Sequence, residues 1–291
     1  MTWISRRRGP GRITWDDLRH DGLPPCDAVV NLAGKHILNP TRRWTRDYRD
    51  EVIRSRVETT TLLVDAINAS DAPPEVFVSS AGKCFCGTRD DIGGVYPELD
   101  EDSMPMGIDF PAELVGLWEQ AADHLDTSRT RHVRLRIGIV LGAVQRRSIL
   151  AKLWRISSAR GLLPLVRLPF CLGAGAILGT GRQPFPWIHL DDMVGICLAV
   201  LDNRAAEGAY NCVAPGIVTN AEFTQRLARR LRRPVVWSAP KALIYALIGR
   251  ERASILLEGQ HVKPRRTLKM GYRFRYAHID MALEDLVEIT V

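Results

Sequence analysis

A short apolar run that stops abruptly in a small polar corner constrains this chain more than any other feature. Ala28-Val29-Val30 leads straight into Asn31-Leu32-Ala33-Gly34. A run this short, bounded by turn residues, reads as a buried strand rather than a helix. In an open α/β sheet the ligand crevice lies at the end of such a strand. Asn31 brings an amide that can hydrogen-bond, and Ala33 and Gly34 are small enough for a flat ligand to lie against the backbone. A strand followed by an ordinary turn would look the same, so the weight rests on whether the pattern recurs.

It does recur. Asp50 to Asn68 has Val52, Ile53, Val57, Thr60, Val64 and Ile67 on one face at the helical period, and Pro73-Pro74 stops it. The run 75–82 is a second strand, ending in Ser79-Ser80-Ala81-Gly82, where a catalytic or substrate-binding serine could sit. Phe110 to Leu125 is a second amphipathic helix, and 133–142 is a long β-branched strand closed by Gly142. Residues 186–193 read as a strand or turn running into a helix capped by Asp191 or Asp192. Gly208 to Val213 is another short strand, and Asn220 opens a helix to Leu231. Strand and helix alternating at this spacing mean parallel strands joined by right-handed crossovers. At the N-terminus, Trp3-Ile4 runs into Ser5-Arg6-Arg7-Arg8. A strand end of this composition suits an anion such as a 2′-phosphate, with a solvated basic tail as the other reading.

Composition removes several classes of function. With 46% apolar and 25% charged residues in 291, the chain has the balance of a globular protein with a full core. Its net charge of +7 suits an anionic cofactor, but no basic stretch is interleaved with aromatics, so no nucleic acid is expected. The six cysteines make no Cys-x-x-Cys pair, so no metal site is expected. They read as reduced thiols of an intracellular protein, cytoplasmic by preference, with mitochondrion and nucleus left open. No apolar run reaches the roughly 18 residues a membrane helix needs, so no membrane partner is expected. Gly173-x-Gly175-x-x-x-Gly179 is one residue too long for a dinucleotide fingerprint and precedes prolines rather than a helix.

Taken in order, Asn31-Leu32-Ala33-Gly34, Val78-Ser79-Ser80-Ala81, Arg136-Ile137-Gly138-Ile139-Val140-Leu141-Gly142, Trp187-Ile188-His189-Leu190-Asp191-Asp192 and Tyr210-Asn211 resemble the extended short-chain dehydrogenase/reductases of the epimerase/dehydratase family. Phe110 to Trp118-Glu119, residues 181–189, and Leu257-Glu258-Gly259-Gln260 to Gly271-Tyr272 are similar to its atypical 39U branch. The resemblance implies an α/β fold: a Rossmann-like, doubly wound parallel sheet binding NADP(H), with a small mixed C-terminal lobe over the cleft of an unknown small-molecule substrate. It implies an incomplete NADP-binding part at 1–142, a basic and apolar insertion at 143–180, and at 181–291 the rest of the sheet with the substrate lobe. A homo-oligomer is left open.

Two departures from the family stand out. The family's first strand and glycine-rich phosphate loop have no counterpart, which implies an N-terminally shortened product and two strand edges without a partner. The family's Tyr-x-x-x-Lys pair, which moves a proton to and from a carbonyl, falls on Pro111 and Val115. Ser80 is then the remaining catalytic candidate. By the resemblance, Ser5 and Arg6 face the 2′-phosphate, and Asn31, Leu32 and Ala33 line the adenosine side. Glu51 and Arg56 are further cofactor contacts, Val140 lies near the nicotinamide end, and His189 and Asn211 border the substrate cleft. The expected activity is an NADP(H)-dependent oxidoreductase or epimerase. The alternatives are a catalytically inactive NADP(H)-binding or interaction protein, or a truncated isoform with impaired cofactor binding.

Overall fold

The structure is a computed structural model describing residues 1–37, 42, 44–82, 96–103, 109–142, 169–170, 173–235 and 237–287. Most of the expected insertion at 143–180 and three of the six cysteines (Cys84, Cys86, Cys171) lie outside the described residues. Cys26, Cys197 and Cys212 are free thiols. The chain divides into two compact units. The first comprises Met1–Ala81, Leu114–Leu135 and Val200–Ala209, and the second Gly82–Glu113, Arg136–Ala199 and Tyr210–Val291. No helix among the described residues is long and apolar enough to cross a membrane.

In chain order the elements are β1 (Trp3–Ser5), β2 (Arg12–Thr14), α1 (Trp15–Asp21), β3 (Ala28–Asn31), α2 (Arg46–Asn68), β4 (Val76–Gly82), β5 (Glu98–Leu99), α3 (Phe110–Gln120), β6 (Arg131–Ile137) and β7 (Ile139–Leu141). They continue with β8 (Ala176–Leu178), β9 (Pro184–Phe185), β10 (Trp187–His189), α4 (Leu190–Asp202), β11 (Gly208–Cys212), β12 (Val218–Thr219), α5 (Asn220–Leu231), β13 (Trp237–Ala239), α6 (Lys241–Ile248), α7 (Arg250–Leu257), β14 (His261–Val262), α8 (Arg265–Lys269) and α9 (Ile279–Leu286). Four strands form one sheet in the order β11-β6-β4-β3. The chain is therefore α/β with a parallel, Rossmann-like sheet, as the sequence pattern requires.

In the first unit, β3 and β4 run parallel with Val29 beside Phe77 and Asn31 beside Ser79. Val29 and Phe77 pack on Leu63, Val64 and Ile67 of α2 and Leu18 of α1, with Ile4 of β1 against the same cluster. Each such side chain taken fully out of water contributes about 1.5–3 kcal/mol, which fixes the face α2 presents. The helix starts at Thr45, whose side chain accepts from the Tyr48 N–H. β1 pairs in parallel only with β2, so among the described residues β1 and β3 belong to different sheets and each keeps an open edge. Trp3 and Val30, on these two strands, are exposed.

The long strand expected over 133–142 is broken into β6 and β7 at Gly138. A Cβ there would lie 2.7 Å from Val213 and 2.9 Å from the Pro186 carbonyl oxygen, so only glycine fits. The strand changes partner at that point. Gly138 N–H donates to the Cys212 carbonyl, Ile139 N–H to that of Pro186, and β7 continues in parallel with β10. The core of the second unit gathers Leu141, Trp187, Phe223, Leu227, Ile279 and Leu283, among others.

Helix starts differ slightly from expectation. α4 begins at Leu190, so Asp191 and Asp192 lie inside its first turn rather than capping it. α5 is capped by Thr219 rather than Asn220, through a reciprocal box with Glu222.

Candidate cofactor site

The ends of β3 and β4 are tied by their own polar groups. Asn31 is buried. Its amide donates to Thr60 Oγ1 of α2 at 3.0 Å, and its carbonyl oxygen Oδ1 accepts the Ala33 N–H at 3.0 Å. That second bond turns the chain off the strand and leaves Leu32 exposed. Ser80 is also buried, and its hydroxyl donates to the Asn31 backbone carbonyl at 2.8 Å. Its neighbour Ser79 meets His132 Nε2 at 2.8 Å, and burial, then the Arg134 charge, pushes that imidazole down to about 4. Both serine hydroxyls are thus committed to contacts within the first unit.

Beyond Gly34 the chain lies along the start of α2. The Lys35 N–H donates to Ser55 Oγ at 3.0 Å, and the Lys35 ammonium pairs with Glu51. Arg42 reaches the same carboxylate at 3.4 Å, and both cations sit over the Tyr48 ring. The bond from Lys35 holds the Glu51 carboxyl below its usual range. At the end of β1, Ser5 Oγ accepts the Arg7 N–H at 3.2 Å, and Arg6 is exposed with no ion pair among the described residues.

Arg56 differs from these neighbours. It is half-buried yet has no carboxylate partner among the described residues, and desolvation pulls its guanidinium down to about 10. Nη1 donates to the Val52 carbonyl at 3.2 Å and lies 3.4 Å from Ser55 Oγ, while Nε is buried with no acceptor among the described residues. The Trp118 ring of α3 lies 5.0 Å from the guanidinium carbon. Gly34 is also close, and a Cβ there would stand 3.0 Å from that carbon. A desolvated guanidinium without a counter-ion is unfavourable unless an anion completes it. Sequence reasoning included Arg56 through family resemblance but missed Gly34 and Trp118 as its neighbours. A signal was available: Arg56 falls midway between Val52 and Thr60, at i+4 from one and i−4 from the other. That puts a charge on the face α2 buries.

The remaining expected residues belong to the second unit. Val140 is half-buried in β7 beside Ile188 of β10. His189 is 2% exposed and stacks on Tyr276 with ring centroids 3.7 Å apart. Its Nδ1 accepts the Asp191 N–H at 3.1 Å, and Nε2 faces the Asp285 carboxylate at 3.3 Å. Asn211 donates its amide to the Lys263 carbonyl at 2.9 Å and its backbone N–H to Glu101 at 3.0 Å, and its carbonyl accepts from Thr267. Both residues are held by the C-terminal segment. Among the described residues no group of three or more His, Cys, Asp or Glu side chains is placed to hold a metal ion.

Parallel strands therefore end in Asn-x-Ala-Gly and Ser-Ser, with Arg56 of α2 close to Gly34. Comparison with known proteins identifies the family. The chain is 43% identical over 287 residues to the human epimerase family protein SDR39U1, covering 99% of this chain and 91% of the human one. It is 36% identical to the chloroplastic SDR39U1 homolog of Arabidopsis thaliana, covering 90% and 68%. A crystal structure of human SDR39U1 (isoform 2) with NADPH superposes with a TM-score of 0.88 at 42% identity, covering 98% of this chain and 90% of that one. A nucleoside-diphosphate sugar epimerase from Corynebacterium glutamicum gives 0.71 at 25% identity, covering 98% and 52%. Residues 239–286 match a domain of unknown function, DUF1731. The chain belongs to the SDR39U1 epimerase family.

Proposed function

We propose that this protein binds NADP(H) at the ends of β1 and β3 and acts as an NADP(H)-dependent oxidoreductase or epimerase on a small substrate. The observation that carries the reading is Arg56 of α2, a desolvated guanidinium close to Gly34 whose buried Nε has no acceptor among the described residues. A phosphate oxygen is the acceptor such a group lacks. Exposed Arg6, one residue past β1, is a second cation for a terminal phosphate, and the small residues Ala33 and Gly34 leave room for an adenosine face. The human relative that superposes on this chain was crystallised with NADPH, which supports the same choice. When bound, the nicotinamide supplies or accepts a hydride. The residues named here bind and orient.

A second reading, an NADP(H)-binding protein without turnover, is favoured by two observations. The Ser80 hydroxyl donates to the Asn31 carbonyl, and the Tyr and Lys positions of the family hold Pro111 and Val115. The experiment is a titration of the purified chain with NADPH, followed by cofactor fluorescence and thermal melting. Saturable binding with a raised melting temperature supports cofactor binding. No response at millimolar NADPH refutes it. Oxidation of bound NADPH by a panel of carbonyl compounds then separates enzyme from binder.

A further inference from the structure

We infer that Gly34 and Trp118 are positioning residues which hold the Arg56 guanidinium as a plate and keep its charge available to a phosphate of the dinucleotide. The inference rests on the cofactor reading above and adds two residues to it.

The first observation is the reason for glycine at position 34. Its backbone φ is not positive, so conformational freedom does not require glycine there. An added Cβ would stand 3.0 Å from Arg56 Cζ, 3.1 Å from Nη2 and 3.2 Å from Nε, so the tip of the Arg56 side chain would have to give by a few tenths of an ångström. Contact with all three atoms means the flat face of the guanidinium lies on the Gly34 backbone. Gly34 itself is exposed, so this edge of the plate borders solvent.

The second observation is the nature of the ring beside the guanidinium. Trp118 is 9% exposed, and its indole Nε1 has no hydrogen-bond partner among the described residues. A buried tryptophan normally satisfies that N–H. Here the ring contributes its face, 5.0 Å from the guanidinium carbon. This choice of neighbour matters electrostatically. A carboxylate would neutralise Arg56 and compete with any anionic ligand. An aromatic face stabilises the cation without neutralising it.

The third observation is how the fork is used. Nη1 is anchored to the Val52 carbonyl, which sets the rotation of the plate, whereas Nε has no acceptor among the described residues. The geometry therefore aims one anchored and otherwise unneutralised cation at the end of β3.

The test uses the full chain and its W118F, W118L and G34A variants, titrated with NADPH and NADH and melted without cofactor. Phe keeps the aromatic face and loses the N–H, whereas Leu keeps apolar bulk and loses the face. We expect W118F within about twofold of wild type and W118L weaker for NADPH by about five- to tenfold, the worth of a partly buried cation–π contact. G34A, which displaces the plate directly, is expected to weaken binding at least as much without lowering the melting temperature. Loss confined to NADPH assigns the 2′-phosphate to Arg56, and equal loss with NADH assigns the pyrophosphate. The inference is overturned if W118L and G34A bind as wild type does, or if W118F loses as much as W118L. Should W118L fail to fold, W118F against G34A decides it by the same criteria. A wild-type chain that binds neither nucleotide overturns the cofactor reading itself, an outcome seen in a different curve.

Discussion

Acid should destabilise the first unit through a single imidazole, and the size of the effect can be worked out. His132 is 7% exposed in β6, lies nearly parallel to the Phe77 ring at 5.5 Å, and places Nε2 2.8 Å from Ser79 Oγ. Burial, with the Arg134 charge second, brings its pKa from 6.5 down to about 4. The native state therefore keeps the ring neutral while the unfolded chain already binds a proton. Stability is complete above about pH 7 and falls as pH drops from about 6.5 towards 4. At about 1.36 kcal/mol for each pH unit of difference, the loss approaches roughly 3 kcal/mol, a large part of a typical margin of about 5–15 kcal/mol. The assay is urea unfolding of wild type and H132Q at pH 7 and pH 4. Glutamine can still bond to Ser79 but carries no titrating ring, and carboxylates that titrate in acid are common to both chains and cancel. Wild type should lose roughly 3 kcal/mol more than H132Q over this interval. Equal losses within about 0.5 kcal/mol, or a His132 ring resonance titrating near 6.5, would refute the reasoning.

Asp192 accepts the Tyr272 hydroxyl at 3.1 Å and the Arg275 and Tyr276 N–H groups at 2.8 and 2.9 Å, while being 1% exposed. An asparagine side chain at this position must turn one of its own donors towards another, so D192N should cost about 2–4 kcal/mol, read by chemical denaturation. A cost under about 0.5 kcal/mol would sink this account. Removing the Thr219 hydroxyl from its reciprocal box with Glu222 should cost about 1 kcal/mol and fray the start of α5, seen as faster amide exchange at Ala221 and Glu222. Val30 is 39% exposed on the open edge strand β3, so V30K should leave stability within about 0.5 kcal/mol and reduce self-association measured by light scattering. Unchanged association would show that this edge is not sticky.

The helices α2, α3 and α5 were legible because a 3.6-residue stripe is local information, carried by residues such as Val52, Val64 and Phe223. The ends of β3 and β4 were legible for a similar reason: apolar runs stop in Asn31 and Ser79-Ser80, and a strand end needs only its own residues to be recognised. The break at Gly138 was not. It is imposed by Val213 and Pro186, which are distant in sequence, and nothing within 133–142 announces a change of strand partner. Nor was the use of Asp192. A carboxylate at a helix start looks like a cap, but its donors come from Tyr272, Arg275 and Tyr276, some 80 residues away. His189 shows the same limit, since its chemistry is evident in the sequence and its partners Asp285 and Tyr276 are not.

The hydrogen bonds of the first unit leave few of its polar groups free for chemistry. Asn31, Ser79 and Ser80 satisfy one another or their neighbours, and Glu51 is shared by Lys35 and Arg42. Groups already satisfied hold shape well and give up protons poorly, because each transfer would break a buried bond worth about 1 kcal/mol or more. Arg56 is the exception, and a guanidinium that titrates at about 10 still keeps its proton at neutral pH. What is left unsatisfied among these residues is therefore a permanent positive charge and not an acid or a base. Under the proposed reading, that charge holds the anion and the satisfied groups around it hold the shape of the site. If hydride transfer to a carbonyl follows, the proton taken up by the developing alkoxide must come from water or from a group other than these, and the rate should then show no protonation step belonging to these residues. A pH–rate profile lost on replacing Ser79 or Ser80, in a variant that still binds NADPH as wild type does, would place the acid among them after all.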